Sequence, residues 1–152
     1  MKTAYKNIIT AFSALLITAT AGFAGPNHGE KAEAGPNGGR VITSVQSHAE
    51  FFVTPERKVK ITFLDESGKV VPPADQIVTV TTGDRSAPVK LAFTKSGDSL
   101  ISDGVVPEGN GLPTIVQIKA QPDAKAEIAK FNLNLSICPG CKLAEYACTC
   151  AH

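Results

Sequence analysis

The middle of this 152-residue chain predicts an all-β fold, an antiparallel β-sandwich that is immunoglobulin-like in outline. Three observations lead there. Short runs alternate apolar and polar residues with period two, the mark of a strand buried on one face. Glycine, proline, asparagine and aspartate punctuate these runs at intervals of about eight to twelve residues. A composition of 43% hydrophobic and 19% charged residues describes one ordinary soluble domain, neither disordered nor fibrous.

Taken in order, the candidate strands run from Arg40 to Ser44, His48 to Thr54, Lys58 to Leu64, Gln76 to Thr82, Val89 to Lys95, Leu100 to Ser102, Thr114 to Ala120 and Glu127 to Ile137. In the third, Val59, Ile61 and Phe63 share one face while Lys58, Lys60 and Thr62 take the other. Val89, Leu91 and Phe93 repeat that pattern. In the last strand Phe131, Leu133, Leu135 and Ile137 are expected to face inward, so that burial of Ile137 would set the register of whatever follows. Asp65-Glu-Ser-Gly68 and Ser96-Gly97-Asp98 are hairpin signals. Longer polar connections fall at Val71 to Asp75 and Pro107 to Pro113. A domain of about 100 residues buries a workable core without cross-links.

All four cysteines lie beyond that scaffold, at Cys138, Cys141, Cys148 and Cys150, in a C-x2-C-x6-C-x-C spacing. Sulfur crowded this densely is either oxidised or bound to metal. Cys138-Pro139-Gly140-Cys141 has the form of a metal knuckle, in which a proline-started turn with a glycine brings two thiolates and neighbouring N–H groups onto one ion. Cys148 and Cys150, if extended, would stand about 6.5–7 Å apart at Cα, the upper edge for a disulfide, so a curl around a metal suits them better. His152 continues the same i, i+2 series and is a fifth candidate ligand. The Cys-rich tail 138–152 is therefore read as holding one ion, Zn(II) or Cu(I), since thiolates select those metals. Two alternatives stand beside this: two disulfides clasping an exported structural or interaction module, and thiol–disulfide exchange at the C-x-x-C. The segment Lys142 to Ala147 is short and polar, so its order is expected to depend on the ion while the sandwich stands alone.

Residues 1–24 have the parts of a signal peptide: Lys2 and Lys6, an apolar run from Ile8 through Ala21, and small residues at Gly22 and Ala24, where cleavage is expected. Thr10, Ser13, Thr18 and Thr20 interrupt the run, which argues against a membrane anchor. The mature protein is then periplasmic or secreted, with no membrane span. Residues 25–39 read as a flexible Gly/Pro linker ahead of the sandwich at 40–137, because Gly25-Pro-Asn-His-Gly29 is echoed by Gly35-Pro-Asn-Gly-Gly39. His28 in that linker is either a solvated residue or a mobile metal ligand.

Gly35-Pro36-Asn37-Gly38-Gly39-Arg40-Val41-Ile42, followed by His48-Ala49-Glu50-Phe51-Phe52-Val53, resembles the opening of small exported bacterial β-domain proteins. A similar segment precedes the β-rich part of periplasmic adaptor subunits in heavy-metal efflux pumps. The resemblance covers about residues 35 to 100, and the Cys-Pro-x-Cys and Cys-x-Cys tail is similar to that of other envelope proteins. It implies a β-sandwich and metal handling, with a metal-efflux or envelope protein as candidate partner. Where such proteins offer histidine before Gly-Gly this chain has Asn37, which puts a histidine site at that turn in doubt.

A formal net charge of +1 gives no electrostatic case for nucleic acid. Neither a Gly-x-Ser-x-Gly nor a His-Glu-x-x-His sequence occurs, and no glycine loop cradles phosphate. Asp65 and Glu66 fall in a turn, and His48 is either a strand-edge residue or an extra metal ligand. The sequence reads as a non-enzyme, an exported metal-binding protein acting as buffer, sensor or metal-resistance accessory.

Overall fold

Residues 33–45 and 48–150 are described by a computed structural model; the segment read as a signal peptide, most of the segment read as a linker with His28, and the terminal His152 lie outside it. The alternating runs become ten strands. These are β1 (Arg40–Ile42), β2 (His48–Val53), β3 (Lys58–Leu64), β4 (Val70–Val71), β5 (Ile77–Thr82), β6 (Val89–Leu91), β7 (Phe93–Ser96), β8 (Ser99–Val105), β9 (Leu112–Lys119) and β10 (Glu127–Leu133). All pair antiparallel. One sheet has the order β1-β2-β3-β8-β7 with β4 beside β3, and the other is β10-β9-β5-β6. In chain order, β2-β3-β8-β7 and β10-β9-β5 reproduce the A-B-E-D and G-F-C sheets of the immunoglobulin sandwich, with β6 in the C′ place and β1 added outside β2. No helix among the described residues is long and apolar enough to cross a membrane.

The core follows the predicted faces. Val59, Ile61 and Phe63 of β3, Phe51 of β2, Val78 and Val80 of β5, Leu91 of β6, Val116 and Ile118 of β9 and Leu133 of β10 are buried together. The expected strand Val89 to Lys95, however, is two strands. It breaks at Ala92, where β6 leaves one sheet and β7 joins the other, and Asp103 takes the freed backbone groups: its N–H donates to Ala92 O and its Oδ1 accepts from Ala92 N. Because both sheets face one core, the inward rhythm of Val89, Leu91 and Phe93 continues through the switch.

The end of β10 also differs from expectation. Pairing stops at Leu133 opposite Leu112, where β9 itself begins, so the chain has no neighbour to follow. Asn134 Oδ1 accepts from Ser136 N, and the backbone turns away. Ile137, expected inside, is 62% exposed. Its place in the core is taken by Tyr146, 4% exposed, which returns from the Cys-rich segment. Tyr146 stacks on Phe131 at 6.3 Å and meets Phe51 edge-on at 5.8 Å. Val53 N donates to its phenolic oxygen. The boundary at residue 138 is thus one of secondary structure, not of packing.

The described part of the Gly/Pro segment is hydrogen-bonded to the sandwich. Residues 35–39 form a turn closed by Gly38 N to Gly35 O and Gly35 N to Gly39 O. The turn lies on Glu50, which is fully buried. Glu50 Oε1 accepts from Asn37 N and Gly39 N, and Oε2 accepts from Asn37 Nδ2. A Cβ at Gly35 would fall 2.4 Å from Glu50 Cδ, and one at Gly39 would fall 2.3 Å from Phe51 O. Glycine is required at both by close approach.

Candidate metal centre

Backbone hydrogen bonds bring the sulfurs together. Lys142 N donates to Cys138 O and Cys138 N to Leu143 O, closing the Cys138–Cys141 turn, with Lys142 in the left-handed region at φ 63°. An isolated bridge pairs Ile137 with Ala144, and Glu145 N donates to Ser136 O. A short 3-10 turn, Glu145–Ala147, then carries the chain back, with Tyr146 N donating to Asn134 O and Cys148 N to Glu145 O. Burial of Tyr146 between Cys141 and Cys148 thereby fixes where the second pair of thiols returns to the first. Arg40 strengthens the closure: its Nη1 donates to Tyr146 O at 3.3 Å while its guanidinium lies 5.2 Å from the Phe131 ring centre.

The result is one cluster of four thiols. Cys138 and Cys148 sulfurs are 3.4 Å apart, Cys141 and Cys148 3.5 Å, and Cys138 and Cys150 3.9 Å. All four lie within 4.8 Å of one another. Four thiolates at about 2.3 Å from a tetrahedral ion stand about 3.8 Å from each other, so the cluster has the size of a four-sulfur metal site. None of the four is in a disulfide. Gly140 makes room, since a Cβ there would be 2.9 Å from Cys150 Sγ. Cys138 is buried and the other three are half-exposed.

Local hydrogen bonding divides the thiols. Backbone N–H groups of Leu143 and Thr149 stabilise the Cys141 thiolate and, with smaller contributions from Cys148 and Cys138, lower its pKa to about 6. The Cys150 N–H also favours a thiolate at Cys148, but desolvation and the neighbouring cysteines outweigh it and push that thiol up to about 12. In Cys150 the bond to Cys148 lowers the pKa, yet Cys138 and Cys141 raise it further, and the net shift is upward. Cys141 is therefore the most readily deprotonated of these three thiols. In reduced, metal-free protein at pH 7, Cys141 is expected to be alkylated first by iodoacetamide, its rate falling as pH drops through about 6, and peptide mapping reads this directly. Equal modification of all four cysteines would contradict it.

His48 is not part of this cluster. His48 opens β2, half-buried and paired with Leu64, and lines a cleft with Glu33 and Glu66. The cysteine segment meets the opposite end of β2 at Val53, about 16 Å along the strand at 3.3 Å per residue. His28 and His152 fall outside the described residues. Asp65 and Glu66 are exposed in the β3–β4 turn, where Asp65 Oδ1 accepts from Ser67 and Lys69, bonds that hold its carboxyl below the usual range. Among the described residues the four cysteines are the one group of metal-ligating side chains this close. Sequence reasoning missed Tyr146 and Glu50. A lone tyrosine in a polar segment carried no periodic signal, although Glu50, on the same side of its strand as Phe52, was visibly a charged residue on a largely apolar run.

Compared with known proteins, the chain matches no family model, no curated protein and no solved structure.

Proposed function

We propose that this chain is an exported protein that holds one Zn(II) or Cu(I) ion through Cys138, Cys141, Cys148 and Cys150, serving as a buffer, sensor or metal-resistance accessory. The observation that carries the reading is the mutual approach of four sulfurs within 4.8 Å. Four thiolates around a tetrahedral ion leave no open position, which favours holding or passing on a metal over catalysis. The disulfide reading fits less well, because Cys148 is as near Cys138 as Cys141, at 3.4 and 3.5 Å, and no pair is set apart. Export rests on the leader-like residues 1–24, and it places metal acquisition after translocation, in the periplasm or outside the cell. His152 is a candidate to replace one of the four cysteines.

Protein purified reduced and without oxygen, then reconstituted with Zn(II) or Cu(I), is expected to bind about one equivalent, read by elemental analysis together with thiol counting. Less than about a tenth of an equivalent of either metal would sink the proposal. Cys141→Ser is expected to weaken retention by at least about a hundredfold, because the most readily deprotonated thiol and the closed coordination are lost together.

A further inference from the structure

Beside the thiol cluster, the outer surface of β2 and the returning tail enclose a groove of about 580 Å3. Phe52, Leu135, Ile137 and Leu143 supply its apolar walls, and Arg57 and Lys142 its charges. No acidic residue is among those that line it. Ile137 is 62% exposed, more than any other exposed large hydrophobic residue described. Arg57 is held in place by carbonyls, with Nε and Nη2 donating to Val106 O and Pro107 O, so its charge is oriented, and no carboxylate among the described residues pairs with it. Lys142 follows Cys141 directly, and its left-handed backbone turns the groove's rim at the metal knuckle.

We infer that this groove docks a short segment of a partner protein in which apolar side chains accompany carboxylates. Apolar walls with two cations and no acidic neighbour complement that chemistry and repel a basic segment. Phe52 and Ile137 offer the buried anchor such an interface needs, and Arg57 and Lys142 set register and attraction. The purpose rests on the metal reading: a partner seated there brings its own donor atoms next to Cys141, one of the three half-exposed ligands, where an ion can be exchanged. The surface itself does not depend on that reading.

The test is selection of a display library of short random peptides against the full chain loaded with Zn(II), with metal content measured on the same sample. Enriched peptides are expected to combine Asp or Glu with Leu, Ile or Phe. Their binding should weaken with added salt and fall at least about tenfold in both Lys142→Glu and Phe52→Thr. Phe52 belongs to β2 and not to the cysteine segment, so it stays informative if Lys142→Glu disturbs the knuckle. No enrichment, enrichment of basic peptides, or binding unchanged in Phe52→Thr would overturn the docking surface. A chain that fails to bind metal yet selects acidic-apolar peptides would instead overturn the metal reading and leave the groove standing.

Discussion

Tyr146→Ala is expected to remove about 3–5 kcal/mol of stability, the cost of emptying a buried aromatic site, although the residue lies in the segment that sequence alone set outside the core. Its ring is 4% exposed and packs on Phe51 and Phe131. Its hydroxyl satisfies Val53 N at the end of β2, and loss of that acceptor leaves a donor unpaired. For a domain of about 100 residues the melting midpoint should fall by on the order of 15–30 °C. Because Tyr146 sits between Cys141 and Cys148, the thiol cluster and the core then share one element. The sandwich, which the sequence led us to expect would stand alone, should therefore show a measurable drop in midpoint when a bound ion is chelated. Tyr146→Phe should cost less, about 1–3 kcal/mol for the unpaired N–H. It should also change the alkaline limb. Burial, with the charge of Glu50 adding, raises the phenol above its ordinary value, while the Val53 N–H opposes. A raised pKa means stability is fully present below the unfolded value of about 10 and is lost as pH rises above it. That loss should be absent in Tyr146→Phe. A Tyr146→Ala protein melting within a few degrees of the parent would show that the tail does not belong to the core.

The strands were legible because the code for a one-sided sheet is local: Val59, Ile61 and Phe63 alternate with polar residues and are found buried. The thiol cluster was legible because four cysteines within thirteen residues have few other chemical reasons to be together. What stayed hidden depends on partners distant in sequence. The sheet switch at Ala92 leaves the inward rhythm intact, so periodicity carries no trace of it. Leu135 and Ile137 continue the rhythm of β10 past Leu133, and only the position where β9 starts tells the chain to stop. Tyr146 finds Phe51, Phe131 and Val53 across gaps in sequence that no local pattern encodes. The Gly35–Gly39 run looks like a spacer until Glu50 is seen beneath it.

That last pairing yields the second large effect. Glu50→Ala should cost about 3 kcal/mol or more, since it leaves the N–H groups of Asn37 and Gly39 and the Asn37 amide without their charged acceptor, beside a new cavity. Glu50→Gln separates shape from chemistry. Its remaining oxygen can still accept from Asn37 N and Gly39 N, but its new NH2 then faces Asn37 Nδ2, donor against donor. Turning the Asn37 amide over to relieve this would point its NH2 at Lys60 Nζ, which now donates to Asn37 Oδ1 at 3.1 Å. Asn37→Asp removes the conflict, because the carboxylate it introduces accepts from both the glutamine and Lys60. Glu50→Gln alone is therefore expected to destabilise by about 2 kcal/mol, and the double variant Glu50→Gln with Asn37→Asp to regain at least about half, a coupling that a double-mutant cycle in denaturant measures. Asn37→Asp alone sets two carboxylates together and should be worse than either Glu50→Gln or the double variant. Additive effects across the cycle would show that the turn does not rest on Glu50, and that the glycines at 35 and 39 answer to some other contact.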